Sequence, residues 1–216
     1  MSRKTNLKGL LFAASASGNV SLLTDLLAEG VDVNATNGFG ETPLTAAVGA
    51  RKLECARVLL QRGAHASHAD RSGATVLMRA AEVRSNTSII KLLLNAGSDV
   101  NAHDELNRTA IMLATATGAI SNVRLLLKSG ASISNVTVDD ETALTFAIVW
   151  NRYEIASMLI AAGVDLNRRD GFGWRPLDYA RQEGDQRILD LLERSGAVAG
   201  RTRKSLGPGK GTRKRG

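Results

Sequence analysis

Short apolar runs with helical spacing recur along the chain, each closed by a glycine and set apart from the next by a polar stretch. The segment Gly40-Glu41-Thr42-Pro43-Leu44-Thr45-Ala46-Ala47 shows how one unit opens. Thr42 has the chemistry of a helix N-cap. Pro43 suits the first helical position, where its missing N–H costs nothing. A short helix of small residues is predicted to follow. Leu53 to Leu60 repeats the helical period, and Gly63 supplies the positive φ that ends a second helix. One such pair cannot bury its own apolar face and requires neighbours of the same shape.

The neighbours are in the sequence. Glycines in the same setting stand at Gly30, Gly63, Gly97, Gly130, Gly163 and Gly196, in steps of 33, 34, 33, 33 and 33 residues. About nineteen positions before each stands Leu11, Leu44, Leu77, Ile111, Leu144 or Leu177. The second run recurs as Leu26-Leu27, Leu59-Leu60, Leu92-Leu93-Leu94, Leu125-Leu126-Leu127, Leu159-Ile160 and Leu191-Leu192. A fixed period of this size denotes a solenoid or an array. Low aromatic content agrees, because thin stacked units are filled by Leu, Ala and Val.

A period of 33 with Thr42-Pro43-Leu44 opening one helix resembles the ankyrin repeat. Thr75 with Leu77, Thr109, Thr142 with Leu144, and Pro176-Leu177 match the same opening. The endings Gly30-Val31-Asp32-Val33-Asn34-Ala35, Gly97-Ser98-Asp99-Val100-Asn101-Ala102 and Gly163-Val164-Asp165-Leu166-Asn167 match the family's close. The resemblance implies an all-α solenoid of six stacked helix-turn-helix repeats with inter-repeat β-turn loops. Their bounds fall near 7–35, 36–68, 69–102, 103–135, 136–168 and 169–197, after an N-terminal extension at 1–6. Three departures stand out. The family's histidine is replaced by Phe12, Thr45, Met78, Met112, Thr145 and Asp178, which removes its Thr–His hydrogen bonds. Arg51 and Asn151 stand where a glycine usually turns the chain between helices. Repeat three carries one extra residue within Arg84–Thr87. Asn tolerates a left-handed backbone better than Arg, so strain or a different turn is expected at Arg51.

Charge changes the picture only at one end. The formal net charge is +7. Arg201, Arg203, Lys204, Lys210, Arg213, Lys214 and Arg215 account for all of it, and the remaining 21 basic residues balance 21 acidic ones. Residues 198–216 therefore read as a basic disordered tail, and the high pI describes that tail rather than the repeats. Both ends of the array are expected to turn polar faces to water: Ser15, Ser17 and Asp25 in the first repeat, and Glu193 with Arg181, Gln182, Glu183 and Asp185 in the last. No seventh repeat is expected. Ser2-Arg3-Lys4 before Gly9-Leu10-Leu11-Phe12-Ala13-Ala14 imitates a secretory leader. That run keeps the register of later first helices and is read as repeat one. No run approaches the ~18 apolar residues of a spanning helix.

The search for chemistry returns little. His65, His68 and His103 have no cluster of cysteines or carboxylates at metal-ligand spacing around them and read as solvated loop residues. Cys55, the single cysteine, matches apolar positions in other repeats and reads as a small buried hydrophobe. Gly207-Pro208-Gly209-Lys210-Gly211-Thr212 lacks the spacing and the strand–helix context of a phosphate loop. Asp170-Gly171-Phe172-Gly173 matches Asn37-Gly38-Phe39-Gly40 and is turn chemistry. No catalytic, cofactor or metal site is assigned, and an enzyme is not expected.

The resemblance implies that turn tips and the exposed side of each first helix form a concave face that holds partners. Transferred repeat by repeat, the candidate partner-binding residues are Phe39, Arg71, Leu106, Arg108, Asp139, Glu141, Trp150, Phe172 and Trp174. Both tryptophans and two of the four phenylalanines of the chain fall on this surface, and exposed aromatics act as interface anchors. Trp150, Phe172 and Trp174 are expected in one patch with an acidic rim from Asp139 and Glu141. The alternative is that Phe172 and Trp174 pack together against the repeat-five turn. Phe146 and Tyr153 are assigned to packing, and Tyr179 to packing with its hydroxyl reaching solvent. The expected function is a monomeric, non-catalytic module that binds another protein. The alternative is nucleic-acid or anionic-membrane association, or nuclear targeting, through the tail. A cytoplasmic location is expected, or a nuclear one in a eukaryote.

Overall fold

The computed structural model describes residues 2–200, with side chains from Leu7 onward. It is all-α among these residues, apart from two isolated bridges. Six helix pairs follow one another: α1 (Ser2–Ser17) with α2 (Val20–Ala28), α3 (Pro43–Gly49) with α4 (Leu53–Gln61), α5 (Val76–Glu82) with α6 (Thr87–Asn95), α7 (Ala110–Thr117) with α8 (Ile120–Lys128), α9 (Ala143–Val149) with α10 (Tyr153–Ala161), and α11 (Pro176–Glu183) with α12 (Gln186–Arg194). The chain divides into two compact units between Ser132 and Ile133.

In the first unit α1, α3, α5 and α7 pack in sequence as one layer, and α2, α4, α6 and α8 as a second. In the second unit α9 packs on α11 and α10 on α12. The recurrent leucines hold each layer together. Leu11, Leu44, Leu77 and Ile111 are buried in the first unit's inner layer, and Leu26, Leu59, Leu93 and Leu126 in its outer layer. Leu144, Leu177, Leu159 and Leu192 take the same places in the second. α1 is longer than the other first helices because it continues back through residues 2–6, the predicted extension.

The residues that replace the family histidine keep much of the capping chemistry. Thr42 and Thr45 place their hydroxyls 3.1 Å apart, and the Thr45 N–H donates to Thr42 Oγ1. Thr142 and Thr145 repeat this at 3.3 Å. In the last repeat the Arg175 N–H donates to Asp178 Oδ2 at 2.9 Å. Thr109 is the exception. Its buried Oγ1 caps nothing and has no hydrogen-bond partner. A buried hydroxyl without a partner carries its desolvation cost uncompensated. Thr109→Val keeps the shape and is expected to raise stability by about 1 kcal/mol. Thr142→Val deletes a working cap and is expected to lower it by a similar amount. Paired urea melts that moved both variants the same way would refute the distinction.

The inter-helix turns are left-handed, with Gly18, Gly118 and Gly184 at positive φ. Arg51 and Asn151 adopt the same conformation at φ 60° and 52°. Arg51 is thus turned like its counterparts and bears the strain, on the order of 1 kcal/mol for a non-glycine residue. Repeat three differs. Its longer connection puts Ser85 at φ 59° and leaves Asn86 as the cap of α6. Buried Asn122 of α8 holds this loop. Its Nδ2 donates to the carbonyls of Ala81 and Val83 at 3.0 and 2.8 Å, and its Oδ1 accepts from the Asn86 N–H at 3.2 Å.

At the chain's ends the structure corrects one expectation and extends another. Ser15 does not face water. It is fully buried, and its hydroxyl bonds back to the Leu11 carbonyl at 2.7 Å. Ser17 and Asp25 are exposed. In the last repeat Glu193 is exposed and meets Arg181 at 3.5 Å. The first three residues of the predicted tail, 198–200, are held against the last repeat. The Val198 N–H donates to Asn167 Oδ1, and the Gly200 N–H to the Asp178 carboxylate. The basic residues Arg201 to Arg215 lie outside the described residues. Cys55 is fully buried in α4, where burial pushes its thiol pKa up.

Candidate functional site: the turn tips

Each turn that leads into a first helix is built on one side-chain acceptor. Asn37 Oδ1 accepts from the N–H groups of Phe39 and Glu41 at 2.9 and 3.0 Å. Asp70 does the same for Ser72 and Ala74, and Asp104 for Leu106 and Arg108. Thr137 Oγ1 serves Asp139 and Glu141, and Asp170 serves Phe172 and Trp174. The third residue after each acceptor turns left-handed: Gly40, Gly73, Asn107, Asp140 and Gly173. The residue between is left at the tip with its N–H satisfied and its side chain outward. These residues are Phe39, Ser72, Leu106, Asp139 and Phe172, and all are exposed.

Within the first unit, adjacent tips are tied through their backbones. The Arg71 N–H donates to the Phe39 carbonyl at 3.1 Å and the Glu105 N–H to the Ser72 carbonyl at 3.0 Å. The approach is tight enough that a Cβ on Gly40 would lie 2.9 Å from the Arg71 nitrogen. His68, expected to be solvated, is half-buried and joins the same seam. Its Nε2 lies 2.6 Å from the Gly40 carbonyl oxygen. Among the described residues, no three metal-binding side chains cluster. In the second unit the two tips also adjoin, with a Cβ on Gly171 falling 3.4 Å from Asp140 Oδ2.

In the turns of repeats two to four, Glu41, Asp70 and Asp104 are paired. Arg79 of α5 meets Glu41 at 3.4 Å, Glu82 at 3.3 Å and Asp70 at 3.9 Å. Arg108 clasps Asp104 with Nη2 at 2.6 Å and Nε at 2.7 Å. Burial pushes the Asp70 pKa up, but hydrogen bonds from Ser72 and Ala74 and the charge of Arg79 outweigh it and hold the carboxyl below its usual range. Such a group stabilises the fold fully above its unfolded pKa, and the contribution fades as pH falls through the folded value. Asp70→Asn is therefore expected to flatten the loss of stability below about pH 4. Urea melts across the acid range test this, and parallel slopes for parent and variant would sink it.

The structure separates the candidate residues. Phe39 is 75% exposed, Phe172 56% and Leu106 49%, each at a tip. Arg71 and Asp139 are exposed beside them. Glu141 is half-buried, and Arg108 is committed to Asp104. Trp174 is half-buried and tilts against Tyr179, with ring centroids 5.2 Å apart. Tyr179 corrects an expectation: its hydroxyl does not reach solvent but donates to the Asp170 carboxylate, and the residue is buried. Trp174 thus packs on Tyr179, and Phe172 stays open. Trp150 is half-buried at the far end of α9, about 12 Å along the helix from Thr142. It does not join the strip at the tips. Val138, aligned with Gly38, is a further exposed apolar residue in the repeat-five turn, at 54%.

This arrangement of repeated helix pairs and hydrogen-bonded turns has a known counterpart. A family model described as ankyrin repeats matches residues 10–104 and 77–170. The chain belongs to the ankyrin-repeat family. It is 25% identical over 198 residues to YahD of Escherichia coli (strain K12), a protein named for ankyrin repeats, covering 89% of this chain and 98% of that protein. It is 31% identical over 173 residues to the B-cell lymphoma 3 protein homolog of Mus musculus, covering 78% of this chain but 39% of that protein. The crystal structure of the human ASB11 ankyrin repeat domain superposes with a TM-score of 0.78 at 25% identity, over 87% of this chain and 84% of that one. Ankyrin repeats are in general protein-interaction modules and typically non-catalytic. Among the described residues no helix is long and apolar enough to cross a membrane.

Proposed function

We propose that the chain is a non-catalytic module that binds another protein through its turn tips. One observation carries this reading. Of the seven large apolar side chains exposed among the described residues, four sit in the tip turns: Phe39, Leu106, Val138 and Phe172. Exposed apolar groups on a rigid, fully hydrogen-bonded turn are anchors that lose little entropy on binding. In the second unit Val138 and Phe172 stand beside the exposed carboxylates of Asp139 and Asp140. That surface suits an apolar contact bordered by basic residues.

The test is capture of a partner from lysate of the source cells, followed by affinity measurements with purified variants. Phe172→Ala and Phe39→Ala are each expected to weaken binding about tenfold, or 1.4 kcal/mol, with unchanged melting. An affinity that ignores both substitutions would overturn the proposal. So would binding that vanishes when residues 201–216 are removed and falls steeply between about 50 and 200 mM salt, because that is the signature of phosphate contacts made by the basic tail.

A further inference from the structure

We propose that a cleft in the first unit, away from the tips, is a binding site for a phosphate monoester. The cavity has a volume of ≈ 440 Å³ and is lined by Arg84, Ser85, Gly118, Ala119, Ile120, Ser121 and Arg124. It lies where α5 hands over to α6 and α7 to α8, at the opposite end of the first helices from the turns described above. Its size falls within the range of small-ligand sites.

The charge of the lining identifies the ligand class. Arg57, Arg79, Arg108, Arg181 and Arg187 each meet a carboxylate. Arg84 and Arg124 meet none among the described residues; that is also true of other exposed arginines such as Arg62 and Arg71, but these two, both exposed, line the same cavity. Arg84 donates Nε to the Thr117 carbonyl at 2.8 Å, which steadies its guanidinium and leaves both Nη groups without a protein acceptor. The exposed Arg124 side chain makes no hydrogen bond or ion pair with any described residue. Two guanidinium groups without carboxylate partners give this cavity a positive lining that favours an anion. Their forked donors match the several acceptor oxygens of a phosphate. The hydroxyls of Ser85 and Ser121 line the same space and can add donors, and the amino end of α8 adds partial positive charge.

The loop that carries Arg84 is not adventitious in shape. Its extra residue carries Arg84 and Ser85 to the cleft, and buried Asn122 and Asn86 fix its backbone from below. The loop backbone is therefore held in place, and Arg84 of one repeat is tied to the Thr117 carbonyl of the next.

The proposal is tested by titrating the full isotope-labelled chain with inorganic phosphate at constant ionic strength, with chloride as the balancing salt, and following amide NMR shifts. Saturable shifts centred on Ser85, Gly118, Ala119 and Ser121 are expected. Arg84→Ala and Arg124→Ala should each weaken binding about fivefold or more, while exposed Arg62→Ala leaves it unchanged and melting curves report intact folds. A phosphoserine peptide and phosphoethanolamine form the comparison arms. Tighter binding of the peptide than of phosphoethanolamine assigns the phosphate to a partner protein, and equal binding assigns it to a small metabolite. Unsaturable shifts, or shifts that persist in the double variant, would mean an adventitious ion only and would overturn the site.

Discussion

Leu93→Ala is expected to cost about 2–5 kcal/mol of stability, the range for truncating a large side chain in a packed core. Leu93 is fully buried in α6, which packs against α5 within its own repeat and against α4 and α8 on either side. The cavity opens toward three helices, none of which can close it without leaving its other contacts. Stability in a stacked array is close to a sum of unit terms and interface terms. The substitution weakens one unit and both of its interfaces, so the urea transition is expected to broaden as well as shift. A midpoint shift worth less than about half a kcal/mol would mean that the outer layer is less tightly packed than its burial indicates.

Asn122→Ala is expected to cost about 2–4 kcal/mol, and for a different reason. The substitution removes little apolar area. It strands the carbonyls of Ala81 and Val83 and the N–H of Asn86, and a stranded buried polar group costs about 1–3 kcal/mol. Asn122→Leu tests the mechanism: it fills the volume but satisfies none of the three groups, and should fare no better than alanine. Faster amide exchange at Asn86 in both variants is the local signature. A leucine variant as stable as the parent would show that volume, not hydrogen bonding, holds the loop.

Much of the fold was legible because the physics is periodic. The closing glycines and the leucines about nineteen residues earlier mark where each helix pair begins and ends, and these positions are the ones found buried. What could not be read depended on contacts between repeats. Ser15 is polar in sequence, but a serine that bonds back to the Leu11 carbonyl satisfies itself and can be buried. Tyr179 carries a hydroxyl that normally seeks water, yet Asp170, nine residues earlier, waits for it inside. His68 became a bridge only because the preceding turn brings the Gly40 carbonyl to it. The candidate aromatics were grouped by repeat position alone, but helix length decides which share a tip. Seven residues of α9 carry Trp150 away from Phe172. The unpaired status of Arg84 and Arg124 was likewise invisible, since it is a property of every carboxylate that fails to reach them.

The division of labour inside each turn has a consequence for how such a surface changes over time. One side-chain acceptor and one left-handed residue fix the backbone, so the tip side chain between them carries little structural duty, Ser72 excepted, whose hydroxyl donates to Asp70 Oδ1 at 2.7 Å. Phenylalanine, serine, leucine and aspartate already occupy that place in neighbouring repeats. If the tips bind as proposed, recognition can be rewritten one tip at a time, with selection acting on the partner's preference more than on the scaffold's survival. A library randomised at Phe39, Ser72, Leu106, Asp139 and Phe172 should consist mostly of folded members, and the chain offers itself as a frame on which new specificities can be drawn.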